Sequence, residues 1–221
     1  MDYREWLPIY KEITNDLSIS MQKDRESARK LEQKITKKPD LNSLSKKIKE
    51  KVYVLGDGPN LPKDLKKIPK NQLNKQTVIA ADNATKTALK HNITPDIITT
   101  DLDGDIKPIL KADKKGSQII VHAHGDNQEL IEKWTPHIQN IIGSTQNKPT
   151  DKLINYGGFT DGDRAIFLAH EHGAKEIELS GFNFKQASKT KQKKLKWAKK
   201  LIQKLENKGV KITYTTQNKQ K

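Results

Sequence analysis

The run Thr99-Thr100-Asp101-Leu102-Asp103-Gly104-Asp105 sets three carboxylates at alternate positions directly after the apolar pair Ile97-Ile98. Buried without a partner, each would carry a large desolvation cost, so such a group belongs at a turn or around a cation. In an extended chain residues i, i+2 and i+4 project to one side, which predicts that Asp101, Asp103 and Asp105 converge on one point. Convergent oxygen ligands suit Mg²⁺, which proteins hold through one or two carboxylates together with substrate phosphates. A polar turn after a strand is the competing reading, because Asp and Gly dominate turns. The rest of the chain decides between them.

Four other stretches carry chemistry. Gly56-Asp57-Gly58-Pro59-Asn60 is a glycine-rich turn whose backbone could approach and cradle a phosphate. It is neither a P-loop nor a dinucleotide fingerprint, since the third glycine and the Gly-Lys-Ser/Thr are missing. Asp82-Asn83 reads equally as a helix N-cap or as a second carboxylate facing a metal. His122-Ala123-His124-Gly125-Asp126-Asn127 offers a His-x-His pair without a convincing third transition-metal ligand. His124 suits a phosphate, and Asp126 with Glu129 fits a capping box. Thr160-Asp161-Gly162-Asp163-Arg164 also fits a capping box, and Tyr156-Gly157-Gly158-Phe159 before it suits a loop closing over a flat ring. Lys189, Lys191, Lys193 and Lys194 enter the last helix, where any one of them reads first as a solvated face.

The elements that must position these residues alternate. Residues 1–36 read as helix, with Trp6, Tyr10, Ile13, Leu17 and Met21 on one stripe that Ala28, Leu31 and Ile35 continue. Lys37-Lys38-Pro39-Asp40 breaks it, and Leu41, Leu44 and Ile48 suggest another short helix. From Lys51 onward short apolar runs alternate with helical segments. Strands are expected at 52–55, 78–81, 97–100, 119–121, 138–142, 177–180 and 211–215, helices at 84–91, 127–134, 161–172 and 191–207, and a loop at 143–158. This pattern predicts an α/β fold with a doubly wound, mostly parallel, Rossmann-like sheet. The expected organisation is an N-terminal helical segment, residues 1–49, as a cap or an interface between copies, and an α/β catalytic domain, residues 50–221. Ligands of such sheets bind outside the carboxyl ends of the strands. The Gly56 turn, Asp82, Asp101 with Asp103, His124 with Asp126, and Gly181 all follow strand runs directly and should share one edge.

Composition bounds the function class. The chain has 221 residues, 33% hydrophobic and 31% charged, with no cysteine, so disulfides and thiolate metal sites are excluded. No run approaches the length of a membrane span, and Met1-Asp2-Tyr3-Arg4-Glu5-Trp6 lacks a signal pattern, which gives a cytoplasmic expectation. The net charge of +15 attracts polyanions, but the lysines are spread along helices and aromatics are 5%. A solvated lysine-rich surface is favoured over nucleic-acid binding.

The motifs together resemble the archaeal-type 6-hydroxymethyl-7,8-dihydropterin diphosphokinases, a family similar in fold to thiamin pyrophosphokinase. The resemblance rests on Leu55-Gly56-Asp57-Gly58-Pro59-Asn60-Leu61, Ala81-Asp82-Asn83-Ala84, Pro95-Asp96-Ile97-Ile98-Thr99-Thr100-Asp101-Leu102-Asp103-Gly104, His124-Gly125-Asp126-Asn127 and Gly158-Phe159-Thr160-Asp161-Gly162-Asp163-Arg164-Ala165. It continues through Ile177-Glu178-Leu179-Ser180-Gly181-Phe182 into the basic last helix. Asn60 departs from the family, where serine is expected. The resemblance implies transfer of pyrophosphate from Mg²⁺-ATP to the pterin hydroxymethyl oxygen with release of AMP, in folate or tetrahydromethanopterin biosynthesis. It implies Mg²⁺ on Asp101, Asp103 and Asp82, and nucleotide at Gly56, Asp57, Gly58, Pro59, Asn60, Asp82 and Asn83. His124 and a lysine such as Lys194 would neutralise charge. Asp126 or Asp161, with Asn127 and Thr160, would meet the pterin.

Three other readings compete. Asp101-Leu102-Asp103-Gly104 matches the start of the haloacid-dehalogenase phosphatase motif, with Asp101 as nucleophile, but that motif ends the first strand of its fold. A nucleotide-sugar transferase would use Asp-x-Asp with a metal and a UDP-sugar. A basic nucleic-acid-binding protein would leave the strand-end clusters without a purpose.

Overall fold

The computed structural model describes residues 1–184 and 189–216, the side chains of 189–191 excepted. One sheet of eight parallel strands runs through the molecule. The strands are β1 (Lys51–Leu55), β2 (Thr77–Ala81), β3 (Ile97–Thr100), β4 (Gln118–Ala123), β5 (Ile141–Thr145), β6 (Leu153–Ile154), β7 (Glu176–Ser180) and β8 (Lys211–Tyr214). Their order is β6-β5-β4-β3-β2-β1-β7-β8, so the direction of winding reverses between β1 and β7.

Period-two alternation divides the core. Val52, Val54, Ile79, Ile97 and Ile120 face one layer, which holds α1 (Tyr3–Leu17), α9 (Asp161–Glu171) and α10 (Lys189–Glu206). Tyr53, Leu55, Val78, Ala80, Ile98, Ile119 and Val121 face the other. That second layer holds α2 (Met21–Lys34), α4 (Leu61–Lys67), α5 (Lys70–Leu73), α6 (Ala84–Lys90), α7 (Ile106–Asp113) and α8 (Gln128–Trp134). Strands buried on both faces explain why the apolar runs read as continuous rather than alternating.

The front of the chain differs from the expected single helix. It breaks at Ser18, which adopts a left-handed conformation (φ 53°), and restarts at Ser20, whose side chain accepts from the Lys23 N–H. The break has a packing cause: Trp6, Tyr10 and Ile13 join the α9 layer, whereas Leu31 and Ile35 join the opposite one. A straight helix cannot reach both faces of a sheet. The short α3 (Leu41–Lys47) places Leu44 in the first layer. Three local differences follow. The fifth strand begins at Ile141 rather than Ile138, because Thr135–His137 forms a 3₁₀ turn. The expected loop at 143–158 contains β6, and the polar region after the aspartates is α7. No helix among the described residues is long and apolar enough to cross a membrane.

Candidate active site at the strand ends

All strands being parallel, the Gly56 turn, Asp82, Asp101, His124 and Gly181 share the carboxyl edge of the sheet, in the spatial order β7, β1, β2, β3, β4. The reversal between β1 and β7 falls at the Gly56 turn, the place where such sheets take ligands. The two segments approach there closely. The Gly58 N–H donates to the Gly181 carbonyl at 2.8 Å, and a Cβ on Gly58 would stand 2.2 Å from that oxygen. The Gly56 N–H is likewise engaged with the Ser180 carbonyl. These glycines therefore serve strand packing first. Asp57 and Pro59 are exposed, and Asn60 donates to Asp64 at 2.7 Å while its buried Oδ1 has no partner among the described residues.

At the ends of β2 and β3, Asp82, Asp101 and Asp103 each present a carboxylate oxygen, all within 4.8 Å of one another. A turn produces this convergence, not the extended chain expected. Leu102 is left-handed (φ 69°), and the Asp103 N–H folds back to Asp101 Oδ1 at 3.2 Å. A buried leucine in that region is strained by roughly 1–2 kcal/mol, and the turn is pinned by Thr100. Its hydroxyl accepts from the Leu102 N–H at 2.9 Å and donates to Asp82 Oδ1 at 2.6 Å. Asp82 is itself left-handed (φ 43°), and a Cβ on Gly104 would stand 2.0 Å from its Oδ2. The sequence places glycine where the carboxylate needs the space. Asp105 does not join the cluster. It caps α7 by accepting from the Lys107 N–H and pairs with Lys86 at 2.9 Å.

The electrostatics follow from crowding. Burial, then the charge of Asp101, pushes the Asp82 carboxyl up to about 6. Burial would raise Asp101 too, but the hydrogen bond from His124 and those from Asp103 outweigh it, so Asp101 ionises first, at about 2. Burial and the adjoining Asp101 then hold Asp103 up at about 6. Asp161, the first residue of α9, is fixed by Thr99, whose hydroxyl donates to its carbonyl at 2.9 Å. Burial, followed by the charges of Asp101 and Asp82, raises its carboxyl well above the usual range.

His124 Nε2 lies 3.1 Å from Asp101 Oδ2, and its Nδ1 accepts from the Asp126 N–H at 3.4 Å. The Nε2 proton therefore faces Asp101. Asn127 is fully engaged rather than open to a ligand. Its Nδ2 donates to the carbonyls of Asp101 (2.8 Å) and His122 (2.7 Å), and its Oδ1 accepts from the His124 N–H and from Ser27. Asp126 is exposed, and Asn127, not Asp126, occupies the N-cap of α8. The Thr160 hydroxyl is turned onto Asp163, completing the capping box. Asn83 accepts from the Asp105 N–H and ties the end of β2 to α7. Lys193 and Lys194 are exposed on α10, and among the described residues no contact joins them to the carboxylates. The side chains of Lys189 and Lys191 lie outside the described residues.

Several residues of the site were not singled out by spacing alone. Asp24 of α2 is fully buried. It accepts from Tyr10, from Gln146 at 2.6 Å and from the Gly125 N–H at 2.6 Å, so it fixes the loop that carries His124. Its signal is a carboxylate at i relative to Ala28 (i+4) and Leu31 (i+7), on the apolar stripe itself. Arg164 is buried in α9, within reach of the charges of Asp163, Asp161 and Asp101. Phe182 lies against Gly56 and Gly162, its ring 3.0–3.1 Å from where their Cβ atoms would be.

Comparison with known proteins gives a consistent result. The model of the family "6-hydroxymethylpterin diphosphokinase MptE-like" matches residues 27–189. A 6-hydroxymethyl-7,8-dihydropterin pyrophosphokinase of Pyrococcus furiosus is 41% identical, covering 95% of this chain and 96% of that protein. Proteins of the same name from Methanocaldococcus jannaschii (40%, covering 83% and 80%) and Methanothermobacter thermautotrophicus (37%, covering 95% and 97%) are also similar. Among solved structures, the thiamine pyrophosphokinase of Bacillus subtilis aligns at 18% identity and a TM-score of 0.42, over 74% of this chain and 59% of that one.

Proposed function

This chain belongs to the 6-hydroxymethylpterin diphosphokinase MptE-like family, and from that premise we propose that it transfers the terminal diphosphate of ATP to 6-hydroxymethyl-7,8-dihydropterin. The hydroxymethyl oxygen forms a bond to the β-phosphorus, the bond from that phosphorus to the bridging oxygen of the α-phosphate breaks, and AMP leaves. The hydroxyl proton is released. The product would serve folate or tetrahydromethanopterin synthesis. The observation that carries the reading is the trio Asp82, Asp101 and Asp103 at the sheet edge.

The trio fits a divalent cation. Two of its three carboxyls are held up at about 6 by burial and by the charge of Asp101, a repulsion that a cation relieves. Gly104 leaves room beside Asp82. Asp82, Asp101 and Asp103 would hold Mg²⁺, which when bound supplies charge neutralisation at the phosphates. Phosphoryl transfer otherwise asks mainly for positioning. Thr100 orients Asp82, His124 and Asn127 fix Asp101, and the β1–β7 reversal with Phe182 seats the nucleotide. Of the two carboxylates considered for the pterin's amino edge, Asp161 lies beside the cluster, whereas Asp126 is exposed.

The test is one incubation with Mg²⁺, ATP and the pterin, with nucleotides resolved. AMP appearing in step with pterin diphosphate supports the reading. ADP or free phosphate overturns it and favours a nucleophilic Asp101. Asp101→Asn should abolish turnover with the fold intact, and an active Mg²⁺-dependent variant would sink the metal assignment.

A further inference from the structure

Between α9 and the carboxyl ends of β3–β5 lies a small chamber beside the carboxylates. Thr99, Ser144, Tyr156, Gly157 and Arg164 contribute to its lining, with apolar walls from Ile120, Ile154 and Leu168. Arg164 is 5% exposed, and among the described residues its Nε and Nη1 have no hydrogen-bond partner, while Nη2 donates to the Phe159 carbonyl at 3.3 Å. His122 is 3% exposed, its Nδ1 meets Ser144 Oγ at 3.2 Å, and among the described residues its Nε2 is unpartnered too. Buried polar atoms are nearly always satisfied, so three such nitrogens on two neighbouring side chains call for a missing partner.

The reaction geometry says what that partner is. Attacking and leaving oxygens lie roughly in line across the phosphorus. With the nucleotide at the β1–β7 reversal and the carboxylates at β2 and β3, the attacking hydroxyl arrives from the β4–β5 side. The chamber lies on that side. His122, which meets the lining residue Ser144, stacks on His124 with ring centroids 6.4 Å apart, and His124 reaches Asp101.

We propose that this chamber is the acceptor's ring site, in which Arg164 and His122 read the lone-pair edge of the heterocycle. The inference rests on the proposed reaction. In 7,8-dihydropterin the 4-oxo oxygen and N5 are adjacent acceptors on one edge, next to the carbon that bears the hydroxymethyl group. That edge on Arg164 leaves the hydroxymethyl group free to turn toward the carboxylates. The apolar walls match the faces of a flat ring. The free space in the structure, about 10 Å³, admits one water and no ring. Binding therefore moves a wall, the one made by Tyr156, Gly157 and Gly158, which must part from Met1, Phe167 and the Arg164 backbone it packs against.

A counter-charge role is the alternative, because the charges of Asp163, Asp161, Asp101 and Asp24 act on the guanidinium. Lysine separates the two, keeping the charge but losing the planar donors. The experiment is calorimetry on wild type, Arg164→Lys and Leu168→Phe. It uses 6-hydroxymethyl-7,8-dihydropterin in the presence of Mg²⁺ and α,β-methylene-ATP, the nucleotide alone, and thermal melting. Arg164→Lys should weaken pterin binding by at least about tenfold. Leu168→Phe, which fills the chamber from α9, should do the same. Nucleotide affinity should stay within about twofold in both; the melting temperature of Arg164→Lys should stay near wild type, and that of Leu168→Phe should fall only by the cost of overpacking the core. Wild-type pterin affinity in both variants overturns the chamber and leaves the reaction standing. Joint loss of pterin, nucleotide and melting temperature in both assigns Arg164 a structural role and overturns the inference. Failure of the wild-type protein to bind the pterin overturns the reaction and the chamber together.

Discussion

Replacing Asp82 with asparagine should stabilise the metal-free protein at pH 8 while removing its grip on a divalent cation. Asparagine keeps the shape. It tolerates the left-handed backbone at φ 43° and can still accept from the Thr100 hydroxyl. What changes is charge. The folded carboxyl titrates at about 6 against an ordinary 3.8, so folding favours its protonated form. The stability this contributes is complete below about 3.8 and is lost as pH rises through 6. Asp82 is 8% exposed, so solvent screens little of the effect. At about 1.4 kcal/mol per pH unit, the ionised carboxylate costs about 3 kcal/mol at pH 8. Urea unfolding in EDTA should show Asp82→Asn more stable than wild type by up to that amount at pH 8, with the advantage shrinking below about 1 kcal/mol at pH 4. Calorimetric titration with Mn²⁺ should then show wild type gaining stability from the ion and the variant gaining little. A variant no more stable than wild type at pH 8, or one that binds Mn²⁺ equally well, would refute the crowded-carboxylate reasoning.

Gly104→Ala brings a Cβ to 2.0 Å from Asp82 Oδ2 and 2.8 Å from Asn83 Oδ1, so Mn²⁺ affinity should fall at least about tenfold and the melting temperature should drop as both side chains are displaced. Asp24→Ala strands Tyr10, Gln146 and the Gly125 N–H, costing about 2–4 kcal/mol in urea unfolding and lowering kcat through His124; unchanged kcat would separate α2 from the site. Asp105→Asn should leave Mn²⁺ affinity within about twofold and stability within about 0.5 kcal/mol, because its partner is Lys86 on an exposed surface. Gly58→Ala places a Cβ 2.2 Å from the Gly181 carbonyl, and melting should report a loss of at least about 2 kcal/mol.

Asp105 and Asn127 show where local reasoning misleads. Alternation along an extended chain put Asp105 beside Asp101, but the strand ends at Thr100 and Leu102 reverses the path. Asp103 reaches the cluster by that turn, and Asp105 is carried on to cap a helix. Asn127 carries the donors and acceptor that a substrate contact needs, yet every one is spent on Asp101, His122, His124 and Ser27. Such engagement depends on partners as distant as 100 residues in the chain. Asp24 was legible in principle, since a carboxylate on an apolar helical stripe must find buried donors.

Pattern alone determined the layered α/β architecture and the shared edge of the strand-end clusters. Strands covered on both faces must be apolar throughout, and parallel strands must all end on the same side. Those constraints are local or topological, so they are written in composition and order. Which carboxylates converge, which polar groups are already spent and which buried nitrogens lack a partner depend on distances between segments remote in sequence. Only the packed structure decided them: Asp82 beside Asp101, α2 holding the His124 loop, and the buried Arg164 with nitrogens left unpartnered among the described residues.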